Sequence, residues 1–208
     1  MEAGTDAPRR IGHLRLSRGE RPQATPGVVD LDLGPAGERF EEWQRAGGLL
    51  GLQALAPAAG LPEEQRARMS VLAAGPGAAL IGYAALALGA RHVEVVLHPE
   101  DRQAFEALTD RESRQRATVH QRVEDAPGGA LHALAAFGCD GAVPDIVQCE
   151  PLVRRLRPEG QLLLYGLPSD MLEPVFDELA RRGLSLHAMG IADGQAFLAG
   201  SLEGGDLS

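Results

Sequence analysis

Lysine is absent from this 208-residue chain, and all 20 basic residues are arginine. The codon bias of a GC-rich genome accounts for that without a functional reason. Cysteine is scarce. Cys139 and Cys149 make no disulfide framework, and a reducing compartment suits them as small buried hydrophobes. Long hydrophobic runs are missing as well. The apolar "AALIGYAALALGA" is too short and too full of small residues to span a membrane. The opening "MEAGTDAPRRIGHLRLSRGERPQATPG" is polar and rich in Gly, Pro and Arg, which is not the pattern of a signal peptide. The expected location is therefore the cytoplasm. Positive charge is in deficit, with a net charge of −9 and a pI near 5.1. That argues against nucleic-acid binding through a chain-wide field and leaves only a local basic patch open. Arg154, Arg155 and Arg157 read as a solvated helix face, with a small anionic-partner patch as the alternative. The 6 histidines show no metal-ligand spacing. No Gly-x-Ser-x-Gly, P-loop or paired-carboxylate arrangement is visible.

What is present is a βα rhythm. The length fits one compact domain, and 44% hydrophobic residues is ordinary for a globular protein. Residues 1–44 read as an irregular extension with a helix starting near 38, residues 45–203 as an α/β domain, and 204–208 as a tail. "HLRL" and "GVVDLDLG" alternate apolar and polar residues like short strands. "ERFEEWQRAGGLLGLQALA" places Phe40, Trp43, Gly47, Leu50 and Ala54 on one helical stripe. "LPEEQRARM" is a short helix. "SVLAAG" is a buried strand, "AALIGYAALALG" a helix stopped by Gly89, and "HVEVVL" the next strand. "PEDRQAFEAL" opens a helix with proline and two acids, which suits the helix dipole. "ATVHQRV" is a third strand. "GGALHALAAFG" reads as a helix, "DGAV" as the start of a fourth strand, and "GQLLLYGL" as a fifth. "SDMLEPVFDELARRG" has Ser169 or Asp170 as cap and Gly183 as stop. "LSLHAMGI" and "QAFLAGSL" flank an Asp-Gly hairpin signal.

Such alternation predicts a doubly wound, mostly parallel sheet of Rossmann-like type with helices on both faces, closed by a C-terminal antiparallel β-hairpin. A ligand belongs at the carboxyl ends of the strands, beside the glycine loop of "VLAAGPGAA". The order of elements resembles the class I S-adenosylmethionine (SAM)-dependent methyltransferases. "VLAAGPGAALIGYAALALGARHVEVVLHPED" looks like their first motif and second strand. "LRPEGQLLLYGL" is similar to their Leu-x-Pro-Gly-Gly strand entry. "LEPVFDELARRGLSLHAMGIADGQAFLAGSL" and "CEPLV" resemble the PrmA-type ribosomal-protein methyltransferases. The resemblance spans about residues 45–203. The nicotinamide-binding half of medium-chain dehydrogenases is the rival, with a similar glycine loop and "LRPGG" stretch. Gly75 and Gly89 stand 14 positions apart, which suits the short methyltransferase helix, the dehydrogenase helix being about one turn longer.

The resemblance implies a SAM site with these members. Gly75 and Gly77 match the first two motif glycines, and Ala79 stands where the third would be. Ala73 replaces the usual acid. Val96 or His98 falls where a ribose-binding carboxylate is expected, with Glu100 and Asp101 close enough to substitute. Glu124 and Asp125 follow the third strand, where an acid meets the adenine amino group. Asp145 lies near the position of an asparagine that the PrmA type places beside the reacting methyl. The implied activity is methyl transfer to a protein or small-molecule acceptor. A catalytically inactive, methyltransferase-like scaffold, acting through a protein partner or a homo-oligomer, is the second reading. A dinucleotide-binding domain is the third.

Overall fold

The computed structural model describes residues 9–18, 25, 27–125, 132–139, 156–192 and 195–202. Three short strands come first: β1 (Arg9–Ile11), β2 (Leu14–Ser17) and β3 (Val29–Asp32). They form their own sheet in that order, β1 antiparallel to β2 and β2 parallel to β3. Leu14, Leu16 and Leu31 of this sheet share one core cluster with Val71 and Ala73 further along the chain.

The long apolar stripe after residue 38 is two helices, α1 (Gly37–Arg45) and α2 (Gly48–Leu55), rather than one. Gly47 breaks it, with φ +87 in the left-handed region. The chain then runs α3 (Glu63–Arg66), β4 (Ser70–Ala74), α4 (Ala78–Ala87), β5 (His92–Val96), α5 (Pro99–Leu108), α6 (Arg111–Gln115) and β6 (Ala117–His120). It continues through β7 (His132–Gly138), β8 (Leu156–Leu167), α7 (Leu172–Arg181), β9 (Leu184–Ala192) and β10 (Gln195–Leu202). The main sheet has the order β6-β5-β4-β7-β8-β10-β9. The first five strands are mutually parallel, and β10 is antiparallel to both β8 and β9. The doubly wound sheet and its closing antiparallel pair are thus those expected from the sequence. The tip at 193–194 lies outside the described residues.

Two expectations need correction. "GGALHALAAFG" is not a helix: His132–Gly138 is β7, a central parallel strand. A strand buried on both faces carries no polar alternation, so its Ala-rich text looks helical. The segments "DGAV" and "CEPLV" lie outside the described residues. The cap of α7 also differs. Ser169 and Asp170 belong to a 3-10 turn (Ser169–Met171), and Met171 is the N-cap, with no side-chain bond.

The two faces of the sheet carry two cores. Val71, Ala73, Val93 and Val95 face α4 and α5, while Leu72, Ala135, Leu162 and Leu164 face α7 through Val175 and Leu179. Period-two alternation along β4 makes this division. Helix α4 is apolar and nearly all buried, with Gly82 pressed on the sheet. A Cβ at Gly82 would stand 2.5 Å from Val95 Cγ1 and 3.2 Å from Phe105 Cε2. Gly82→Ala therefore sets a helix-propensity gain of about 1 kcal/mol against an overpacking cost of about 1–3 kcal/mol. Net destabilisation is expected in a urea titration. A raised midpoint would show that the contact yields more easily than the packing implies.

Candidate functional site

Strand β4 ends at Ala74, and Gly75-Pro76-Gly77 turns the chain into α4. Gly75 (φ +79) and Gly77 (φ +84) both adopt left-handed backbone, which glycine alone enters without penalty. The surroundings demand glycine a second time. A Cβ on Gly75 would overlap the Gly138 carbonyl oxygen, and one on Gly77 would come 2.9 Å from Gly48 Cα. The loop is thereby wedged between the end of β7 and the start of α2. Gly77 is the N-cap of α4 and provides no side-chain bond to the first turn. The amides there, with the positive end of the helix dipole, suit a carboxylate. Ala79 lies in that first turn, fully buried, where a third glycine of the motif would stand.

Tyr165 of β8 fixes the loop from below. Its side chain is fully buried, and its hydroxyl donates a 2.6 Å hydrogen bond to the Pro76 carbonyl. Burial pushes the phenol well above its ordinary range, so it stays a neutral donor. No sequence pattern marks this role.

At the end of β5, Val96 is half-buried and Leu97 buried, so neither supplies a carboxylate. His98 is exposed, in extended conformation, as the N-cap of α5. Glu100 is exposed and lies 3.4 Å from Arg39. Asp101 is buried and engaged: its Oδ1 accepts from Arg39 at 2.6 Å and from Trp43 Nε1 at 2.9 Å. Arg39 also pairs with Glu42. Asp101 therefore ties α1 to the start of α5, a role different from the ribose contact expected of it. The structure places Glu124 in a 3-10 turn, Val123–Asp125, directly after β6. Asp145 lies outside the described residues. At the carboxyl end of β7 stand Phe137, Gly138 and the buried Cys139. A Cβ on Gly138 would come 2.6 Å from the Pro76 oxygen and 2.9 Å from the Tyr165 ring.

The glycine loop follows β4, His98 and Glu100 follow β5, and the turn at Glu124 follows β6. Sequence reasoning missed Glu94. It is fully buried in mid-β5, 3.3 Å from His92 Nε2 and 3.4 Å from His120 Nε2. The spacing of His92 and Glu94 puts both on one face of the strand, a usable signal that "HVEVVL" hides among valines.

The uncapped first turn of α4 and the two left-handed glycines suit a carboxylate group. No carboxylate ends β5, and beyond it His98 and Glu100 are exposed polar residues.

No family model matches the chain. A ribosomal protein L11 methyltransferase from Methylococcus capsulatus is 33% identical over 138 residues, which is 63% of this chain and 44% of that protein. The chain thus aligns with less than half the length of this curated relative. Among solved structures, a ribosomal protein L11 methylase from Lactobacillus delbrueckii subsp. bulgaricus superposes with a TM-score of 0.60 at 19% identity. That match covers 92% of this chain and 95% of the other. The N-methyltransferase NodS from Bradyrhizobium japonicum, in complex with S-adenosyl-L-homocysteine (SAH), superposes with a TM-score of 0.53 at 13% identity. It covers 81% of this chain and 98% of that one.

Proposed function

We propose that this chain, whose fold is that of the class I SAM-dependent methyltransferases, binds SAM at the Gly75–Gly77 loop and transfers its methyl group to a protein acceptor. One observation carries the reading: the left-handed Gly75-Pro76-Gly77 turn opens directly onto the uncapped start of α4 at the carboxyl end of the central strand. SAM, when bound, supplies a methyl group on an already electrophilic sulfonium. The protein's task is then mostly orientation. The first-turn amides of α4 hold the carboxylate end, and Gly75 and Gly77, packed against Gly138 and Gly48, fix the turn that presents them. His98 and Glu100 meet the ribose hydroxyls in place of the acid that Val96 does not provide. Tyr165 keeps Pro76 in place through its hydroxyl.

The protein acceptor is inferred from the name of the curated relative, which acts on a ribosomal protein. No helix among the described residues is long and apolar enough to cross a membrane. A buried thiol at Cys139 suits the reducing cytoplasm where ribosomal proteins reside. The test is transfer of a labelled methyl group from SAM to purified ribosomal proteins. Label on one ribosomal protein, absent with Gly75→Ala, is the expected result. Label on none of them would overturn the acceptor class.

A further inference from the structure

A second cleft, of about 720 Å³, lies between the small N-terminal sheet and the turn that leads to β4. Arg66 stands four positions before the first residue of β4, so the cleft sits by the amino end of that strand. The glycine loop is at the opposite end. The walls are apolar or backbone at Gly27, Gly60, Leu61 and Pro62, and among the described lining residues the side chains with nitrogen are His13 and Arg66. No carboxylate is among the described residues that line it. That is notable in a chain with a net charge of −9.

Arg66 Nε is buried and has no hydrogen-bond partner among the described residues. A buried donor left without a partner is costly and calls for an acceptor. His13 is oriented: its Nδ1 lies 3.1 Å from the Gly27 carbonyl, so Nδ1 carries the proton and donates to that oxygen. The ring's other edge lies towards Gly60, where a Cβ would meet Nε2 at 3.8 Å. The cleft beside α5 is a useful contrast. Arg39 lines it, but Asp101, Glu42 and Glu100 already surround that guanidinium. An anion there would meet neutralised charge. Arg66 Nε has no such partner among the described residues.

We infer that the cleft is an oxyanion-binding site, distinct from the cofactor site, in which Arg66 grips a phosphate or carboxylate group beside the oriented ring of His13. The guanidinium edge matches either group in a paired geometry. The proposal does not depend on SAM binding or on methyl transfer.

The test uses the full chain, labelled with ¹⁵N, titrated with inorganic phosphate and separately with acetate at constant ionic strength. Side-chain resonances of Arg66 Nε and His13 should shift saturably with at least one of the two anions. Arg66→Met should weaken that binding by about tenfold or more, the loss of one charge-assisted contact. Arg68→Met, an exposed neighbour, should not. Tighter phosphate binding would assign a phosphorylated ligand, and tighter acetate binding a carboxylate. Either outcome supports the site. No saturable shift with either anion, or equal affinity in Arg66→Met and the parent, would overturn it. The amide spectrum of Arg66→Met verifies that the variant is folded.

Discussion

Gly75→Ala is expected to remove SAM binding and to destabilise the fold by about 3 kcal/mol or more. Two costs combine. A left-handed backbone costs an L-residue about 1–2 kcal/mol. The new Cβ would also overlap the Gly138 carbonyl, and β7 is a central strand that cannot retreat without disturbing β4 and β8. Gly89→Ala separates the two costs. Gly89 has φ +88, but a Cβ added there would meet nothing within 4 Å. It should lose only the backbone part, about 1–2 kcal/mol, and keep the cofactor. Urea unfolding and a SAM titration on both variants measure the difference. Equal losses in the two would mean that the Gly75–Gly138 approach has no consequence.

Tyr165→Phe has the second-largest expected effect. It leaves the Pro76 carbonyl without its 2.6 Å donor, a cost of about 1–3 kcal/mol for a buried acceptor. It also frees the glycine loop from β8, so SAM affinity should fall although Tyr165 need not touch the ligand. The pH dependence identifies the hydroxyl. Burial raises the folded phenol above its unfolded value, so its contribution is complete below about pH 10 and is lost as pH rises further. Above that point each pH unit costs about 1.4 kcal/mol for this one proton. Tyr165→Phe should be less stable at neutral pH and flatter in alkali than the parent. Tyr83 is also raised by burial and remains in both proteins, so it does not mimic the difference. Parallel alkaline profiles would contradict the role of the Tyr165 hydroxyl.

The parts of the fold that can be read from sequence are those with local punctuation. Gly75, Gly77 and Gly89 bracket α4, Pro99 opens α5, and Gly183 ends the segment before β9. Each marks a backbone event by its own chemistry. The apolar stripe from Phe40 to Ala54 is harder, because helical periodicity continues across Gly47 even though the chain turns there. β7 escapes a local reading because "HALAAFG" satisfies both a buried strand and a helix, and only its neighbours in the sheet decide. The site divides in the same way. The glycine loop is contiguous in sequence, so its geometry is legible. Tyr165 and Pro76 stand 89 positions apart, and Trp43 and Asp101 stand 58 apart. No local pattern links such pairs. The same distance explains why Asp101 suits a ribose contact on sequence alone, when in the fold it holds Arg39 and Trp43.

The most direct measurement is calorimetric titration of the purified chain with SAM and with SAH, using NADH as the control. Even if His98 and Glu100 replaced none of the hydrogen bonding of an acid at the end of β5, the loss would be about 1.5–3 kcal/mol, which weakens binding about tenfold or more without abolishing it. The account predicts saturable binding of SAM and SAH, lost in Gly75→Ala, and no heat with NADH. Silence towards both sulfur compounds, or binding of NADH alone, would contradict it.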